Sequence, residues 1–467
     1  MGMKHFQTRC PHAPRSLLVL LTLAAGACGA WQRVGREVAE PDPTTYVTPL
    51  FDLEGVYNGM GLFAAQGTLP FAGSLHYLAG PSPDSTLALV GLSMSHHSFS
   101  FRRTEGVFEA RYRVEVTFHR GGRLIERASE DNVIQVVSFP ETQRTDDAIL
   151  YQTILYLPPG VLDVSVRVSD RGGDVSTEAA SATSVPRFTG SKALSQLVPV
   201  YRARGRRARA AEPALVVNPR ASVPFGADTL LLYAEGYRGD SADVVTVRAF
   251  TIDPEPVEVW RDSLLLGAGG IEVNSILLTV RPALLPIGQL ELAATVSGVP
   301  DTLRTPILVT FSDQWVVANL DETLSLLRYF GAEQALQAIR AAAPEERAAL
   351  WRRLWRETDP DPATPGHEAL DIYFGRVEEA NDRFREATQP GWLTDRGEVF
   401  ITLGAPDEIF DSSSDLQDRG IRLIRWHYIG DRLTLDFVDE SGFGRFRLTD
   451  RSRSDYLRVL TRLRQGE

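Results

Sequence analysis

Three carboxylates toward the C-terminal end, Asp395, Asp407 and Glu408, are the side chains whose type could do hydrolytic chemistry. A carboxyl pair flanking a glycosidic bond acts as acid and base, or as acid and nucleophile, according to the distance between the two groups. Spacing along a chain does not set that distance. The stretch Asp407, Glu408, Asp411, Asp415, Asp418 lacks the central glycine and final glutamate of a calcium loop. It reads as a solvated loop between strands. Of the histidines, His76, His96, His97, His119, His367 and His427 remain once an N-terminal leader is set aside. None forms an HxxxH pair, and His367-Glu368 lacks the second histidine of a zinc-protease helix. His96 and His97 are adjacent, so on a strand they face opposite ways. No metal and no cofactor is expected. Ser93 and Ser95 sit in no Gly-x-Ser-x-Gly turn, and neither a Walker loop nor GxGxxG occurs. Nucleophilic and nucleotide chemistry therefore lack support.

Cys28 is the remaining candidate for chemistry, as an attachment point. Lys4, Arg9 and Arg15 precede the apolar stretch from Leu17 to Ala25, and Ala25-Gly26-Ala27-Cys28 follows. The apolar stretch is too short to span a bilayer. The four residues ending at Cys28 resemble a bacterial lipobox, where cleavage leaves a cysteine whose thiol carries diacylglycerol. Only Cys10 and Cys28 occur, and Cys10 lies in the part to be removed. A single cysteine in an oxidising compartment is best explained as a lipid anchor. Loss of Lys4, Arg9 and Arg15 takes the net charge from −11 to −14. That balance argues against nucleic acid as a partner.

Residues 1–28 thus read as a lipoprotein signal segment, and 29–76 as a tether and lead-in, with the proline-bearing run Glu40–Pro43. Residues 77–200 carry β patterning. Thr86–Met94 is an apolar run, and Tyr112, Val114, Val116 and Phe118 alternate onto one face. Val133–Phe139, Ile149–Leu157 and Val161–Val168 continue the series between turns such as Pro158-Pro159-Gly160. Residues 201–213 contain Arg202, Arg204, Arg206, Arg207 and Arg209, read as a solvated linker or a contact for anionic lipid. Residues 214–312 repeat the β pattern from Leu230 to Val296. Two β-sandwiches of immunoglobulin or fibronectin type are expected.

From 313 to 467 an α+β domain is expected. Pro344 with Glu345 and Glu346 opens a helix striped by Leu350, Trp351, Leu354 and Trp355. A longer helix should start at Thr364 as N-cap, with Pro365 after it. Its stripe is Leu370, Tyr373, Phe374, Val377, Ala380, Phe384 and Ala387. Val399, Ile401 and Leu403 alternate as a strand would. Ile424, Trp426 and Tyr428 then pair across Gly430-Asp431 with Leu433, Leu435 and Phe437. A short amphipathic helix from Tyr456 to Leu463 ends the chain. The fold class is therefore multidomain and mainly β: two sandwiches, a helical segment, then a small antiparallel sheet.

Gly391-Trp392-Leu393-Thr394-Asp395-Arg396-Gly397, followed by Gly404-Ala405-Pro406-Asp407, resembles the motif of the GWxTD-domain proteins. These are bacterial envelope proteins of unknown biochemical role. The resemblance covers roughly Leu320 to Leu448; His367 stands where the family has Asn. A shorter likeness, running from a strand through Gly404 to Trp426-His427-Tyr428, is similar to outer-membrane assembly lipoproteins of the SmpA/OmlA type, which bind and do not catalyse. Read physically, the motif is a corner between helix and strand. Trp392 anchors it, Thr394 and Asp395 bond to backbone, and Arg396 pairs with Asp395 or Asp407. Gly397 and Gly404 supply backbone conformations that other residues resist. The expectation is a non-enzymatic, outer-membrane-anchored lipoprotein with a binding or scaffold role beside an envelope protein partner. The alternative is a hydrolase of envelope polysaccharide or peptidoglycan acting through Asp395, Asp407 and Glu408.

Overall fold

The structure, a computed structural model, describes residues 32–35, 53–142, 148–189, 193–237, 243–267, 271–299, 302–312, 319–364, 366–386, 389–411 and 421–465. Cys28 with the signal segment, Pro365, Ala387, Asp415 and Asp418 lie outside the described residues. The chain is mostly β, with several sheets, a helical segment and a small C-terminal antiparallel sheet. It divides into two compact units. One comprises Tyr46–Glu378, the other the residues up to Thr45 together with Glu379–Glu467.

Strand β1 (Gln32–Gly35) and helix α1 (Leu53–Gly59) come first. Next are β2 (Phe63–Ala65), β3 (Phe71–Ala79), β4 (Thr86–Ser95), β5 (Arg102–Thr104), β6 (Val107–Arg120) and β7 (Arg123–Val136). A short α2 (Phe139–Thr142) precedes β8 (Ala148–Leu157), β9 (Gly160–Asp170) and β10 (Val175–Val185). They make two sheets, β2-β3-β4-β8 and β10-β9-β6-β5, with β7 also paired to β6. The alternation in β6 has the expected result: Tyr112, Val114, Val116 and Phe118 are buried between more exposed neighbours. Register sets Val114 opposite Val168 and Val116 opposite Val166. That face shares a core with Val90, Leu92 and Met94 of the other sheet.

β4 has no polar face. Its Leu87 and Leu89 enter a second core with Val198, Val200, Leu215, Val217 and Tyr233. A strand buried on both sides reads as a continuous apolar run, which accounts for Thr86–Met94. The residues of that second core belong to the next strands: β11 (Ala193–Leu194), β12 (Val198–Arg204), β13 (Ala214–Val217), β14 (Ser222–Pro224) and β15 (Leu230–Tyr237). β16 (Asp243–Thr251), β17 (Glu258–Leu266), β18 (Val273–Val280), β19 (Gly288–Val296) and β20 (Thr302–Thr310) complete the series. Their sheets run β11-β15-β12-β13, with β18 on β15, and β14-β20-β19-β16-β17.

The arginine run is solvated only in part: Arg202, Arg204 and Arg207 are exposed. Arg202 and Arg204 lie in β12, and Arg206 and Arg209 are buried. Arg206 makes a two-pronged pair with Glu235, Nε to Oε1 at 2.7 Å and Nη2 to Oε2 at 2.8 Å. It also donates to the carbonyls of Ala79, Arg209 and Ala211. The hydroxyls of Tyr233 and Tyr237 donate to the same carboxylate, each at 2.7 Å. A buried charge is tolerable only when paired and hydrogen-bonded in this way. Sequence alone shows five arginines close together; it does not show that Glu235 waits on β15.

The helices follow the 3.6-residue pattern. α3 (Leu320–Leu326) is capped by Asn319, whose side chain accepts from Glu322 N at 2.9 Å. α4 (Glu333–Ala341) and α5 (Pro344–Thr358) follow, the latter with Pro344 in its first turn as expected. α6 (Glu368–Arg383) begins later than Thr364. His367 caps it: Nδ1 accepts from Leu370 N at 3.2 Å, and Nε2 lies 3.0 Å from the Thr358 hydroxyl. Thr358 Oγ1 donates to Leu354 O, so it accepts from His367 Nε2–H. The histidine thus does the work of the asparagine it replaces, an acceptor at the helix start. Thr364 instead donates to Glu368. Leu370, Tyr373, Phe374, Val377, Ala380 and Phe384 are all buried.

The second unit contains α7 (Asp395–Leu403), β21 (Glu408–Asp411), β22 (Arg422–Tyr428), β23 (Leu433–Asp439), β24 (Arg447–Leu448) and α8 (Asp450–Gln465). Its sheet order is β1-β21-β22-β23-β24. Two expectations fail here. Residues 395–403 form a helix, not a strand. The branched residues Val399 and Ile401 are buried, but so are Phe400 and Arg396 between and before them. A short apolar run carries no reliable period, and the cap at Thr394 decides in favour of helix. The likeness to SmpA/OmlA-type lipoproteins assumed a strand at this place. In addition, part of the presumed tether is sheet, since β1 pairs antiparallel with β21.

Candidate functional site

The motif Gly391-Trp392-Leu393-Thr394-Asp395 lies between α6 and α7. Gly391–Leu393 is a single 3-10 turn. A Cβ on Gly391 would sit 2.1 Å from the Ala380 carbonyl oxygen and 2.6 Å from that of Asn381. The turn therefore rests directly on the backbone at the end of α6. A Cβ on Gly397 would sit 2.1 Å from the Gly391 oxygen. Gly397 is thus demanded by close approach, not by an unusual φ. Only Gly404, at φ 82°, fits the expectation of a conformation that L-residues avoid.

Thr394 is fully buried and ties the two turns together. Its hydroxyl donates to Gly391 O at 2.7 Å and accepts from Gly397 N at 3.0 Å, capping α7. Such a cap contributes about 0.5–2 kcal/mol. Trp392 is 8% exposed. Gly404 N closes α7 on Phe400 O at 2.8 Å, and the Tyr428 hydroxyl donates to Gly404 O at 2.9 Å. Pro406 is buried beside it.

The charged members of the motif have different partners from those expected. Asp395 Oδ2 accepts from Leu448 N at 2.8 Å and from Arg453 Nη2 at 2.7 Å. Asp407 Oδ2 accepts from Ile429 N at 2.7 Å. Neither takes Arg396 in an ion pair among the described residues. Arg396 is buried, with its guanidinium 4.3 Å from the centre of the Phe446 ring and 5.4 Å from that of Phe384. Burial pushes it down to about 10, so it stays protonated at neutral pH. Its Nε finds no acceptor among the described residues. The sandwiching rings supply cation–π attraction in place of a carboxylate.

The three carboxylates considered for hydrolysis are therefore engaged separately: Asp395 with α8 and β24, Asp407 with the β22 end, Glu408 near His427 at 3.8 Å. Sequence reading missed Glu398. Burial raises its carboxyl above the ordinary range, while Arg453 opposes that shift. Tyr456, also raised by burial, lies with its hydroxyl 2.9 Å from that of Thr402. Glu386 is a second omission: buried, it accepts from Phe446 N at 3.1 Å and pairs with Arg447. Arg453, Tyr456 and Phe446 are far from the motif in sequence, and no spacing along the chain places them beside it.

A separate cavity of about 390 Å³ lies in the sandwich-bearing unit, lined by Phe225, Ala283, Arg352, Trp355 and Arg356 among others. Arg352 donates to Ala283 O, and Trp355 packs 5.4 Å from Phe225, centre to centre. It contains no carboxylate or histidine. Among the described residues no group of three or more His, Cys, Asp or Glu could hold a metal ion. No described helix is long and apolar enough to cross a membrane.

The fold defines a β-rich multidomain protein whose C-terminal part is organised about a Gly-Trp-x-Thr-Asp corner. Residues 303–428 match the family model of the GWxTD domain, and the chain is a GWxTD domain-containing protein. The match spans β20 to β22, including α3–α7. No curated protein matches the chain.

Proposed function

We propose that the protein is an exported lipoprotein of the cell envelope, anchored through Cys28 in the outer membrane. Its GWxTD domain has a non-enzymatic binding or scaffold role in an assembly with an envelope protein. One observation supports the non-enzymatic reading most. The polar groups of the motif are committed inside the fold, Thr394 to two turns and Asp395 to Leu448 N and Arg453. Groups held this way position backbone and are not directed at a substrate. Cys28→Ser tests the anchor. The substituted chain should move from the membrane fraction to the soluble one, and continued sedimentation with membranes would refute the lipoprotein reading. Mass spectrometry of proteins captured with the chain from solubilised envelope tests the assembly role.

A second reading, a hydrolase of envelope polysaccharide or peptidoglycan, draws on Glu398. A carboxyl raised by burial, with a second carboxylate, Asp395, nearby, is the pattern of an acid–base pair. Release of soluble fragments from purified sacculi by the wild-type chain, lost in Glu398→Gln, would establish it over the scaffold reading.

A further inference from the structure

We infer that the loop between β23 and β24 dips into the bilayer that holds the lipid anchor, with Phe443 as the inserted side chain. This rests on the lipoprotein reading of Cys28 and adds the surface of the protein that meets the membrane.

The loop is built to present an apolar residue. Asp439, at the end of β23, is fully buried. Its Oδ1 accepts from Ser441 N at 3.1 Å, from Gly442 N at 3.0 Å and from the Ser441 hydroxyl at 2.7 Å. Its Oδ2 accepts from Gly444 N at 2.6 Å. Gly442 and Gly444 take φ values of 72° and 82° on either side of Phe443. An inward carboxylate and two left-handed glycines thus fix a tight loop around one outward ring. Phe443 is 84% exposed, the highest of the described large apolar side chains. Its neighbour Phe446 is buried at 3% under Arg396 and Arg422, so the loop has an apolar anchor and an apolar tip. Single exposed apolar residues are ordinary; a loop rigidified around one is less so.

The register of β1 supplies the occupant. Gln32 lies opposite Asp411, Asp411 opposite Ile424, and Ile424 opposite Phe437. Gly35, further along, lies opposite Ile409. The chain therefore enters β1 at the end of the sheet where β23 runs into Asp439 and the Phe443 loop. Only Gly29, Ala30 and Trp31 separate Gln32 from Cys28. Four residue steps span at most about 14 Å. An acyl chain on Cys28 holds this end of the sheet within that distance of the lipid surface. Arg445 and Arg422, both exposed, flank the loop and offset Glu440, also exposed. The fit is to a bilayer interface, through an apolar wedge more than through charge.

The test uses the full acylated chain carrying Phe443→Cys. Cys28 is blocked by its lipid, so residue 443 is the one free thiol of the processed protein. It is labelled with an environment-sensitive fluorophore, and the protein is reconstituted in phosphatidylethanolamine–phosphatidylglycerol vesicles. The expected result is a blue-shifted emission that lipids with a shallow nitroxide quench. The same label at Ile429→Cys, 64% exposed at the opposite end of the same sheet, should emit as in water. A lipidated, vesicle-bound chain whose residue-443 label emits as in water overturns the inference and leaves the lipoprotein reading standing. A blue shift that appears without vesicles and grows with protein concentration also overturns it, in favour of a second copy of the chain. A processed chain without lipid on Cys28 defeats both readings. Hydrogen exchange gives an independent check: protected amides in Gln32–Gly35 are expected, and exchange there at the solvent rate overturns the inference.

Discussion

Replacing Gly397 by alanine tests the motif corner by the sign of its effect. In a helix interior, Gly→Ala ordinarily stabilises by about 0.5–1 kcal/mol, because glycine loses more backbone freedom on folding. Gly397 lies within α7, yet its Cβ would meet Gly391 O at 2.1 Å and Trp392 Cα at 3.0 Å. Both obstacles are backbone, so no side-chain rotation relieves them. Overpacking of this kind costs about 1–3 kcal/mol. Moving the Gly391 turn also weakens the Thr394 bonds, each contributing about 0.5–1.5 kcal/mol. The clash outweighs the propensity gain, and Gly397→Ala should destabilise by about 1–3 kcal/mol. The control is Gly375 in α6, where an added Cβ meets nothing within 4 Å. Gly375→Ala should stabilise by about 0.5–1 kcal/mol. Calorimetric melting is the assay, with about 2–4 °C per kcal/mol expected for a domain of 150–250 residues. A Gly397→Ala protein that melts at or above wild type, alongside the same gain in Gly375→Ala, would refute the close approach.

His367 makes stability pH-dependent. Burial lowers its pKa below the ordinary 6.5, and Nδ1 must be unprotonated to accept from Leu370 N. The unfolded chain then binds the proton more readily. Stability from this group is complete above pH 6.5 and falls as pH drops through 6.5 toward the folded value. His367→Asn keeps an acceptor without the titration, so denaturant midpoints between pH 5 and pH 7, as a rough window, should vary less with pH. His76, pushed down to about 4 by burial, contributes a second loss with the same sign, which His367→Asn leaves in place. Arg206→Ala leaves Glu235 buried without its cation and should cost about 3–5 kcal/mol, read as a fall in the urea midpoint.

Much of the fold was legible where one face of an element meets one core. The alternation of Tyr112, Val114, Val116 and Phe118 and the stripe from Leu370 to Phe384 are of this kind. What failed has common physical causes. Val399 and Ile401 belong to a helix buried on most sides, so their spacing carries no period. Arg206 and Arg209 look like solvent-facing charge because their partners, Glu235, Phe188 O and the Tyr237 ring, come from elsewhere in the chain. β1 is four residues of edge strand whose pairing with β21 bridges most of the chain. Around the motif, the glycines and Thr394 were visible as a corner. Glu398, Arg453 and Phe446 were not, since only the folded chain brings α8 and β24 to Asp395 and Arg396.

The claim that the motif is architecture rather than a reactive centre is tested most directly by melting Trp392→Ala beside Asp395→Asn. Trp392 is buried, and truncating such a side chain costs about 3–5 kcal/mol. Asp395→Asn keeps an acceptor for Leu448 N and loses only the charge toward the half-exposed Arg453, about 0.2–1 kcal/mol. The account predicts a marked fall in melting temperature for Trp392→Ala, a small one for Asp395→Asn, and the same captured envelope proteins with Asp395→Asn as with wild type. A Trp392→Ala protein that melts like wild type, or an Asp395→Asn protein that melts like wild type and has lost its function, would contradict it.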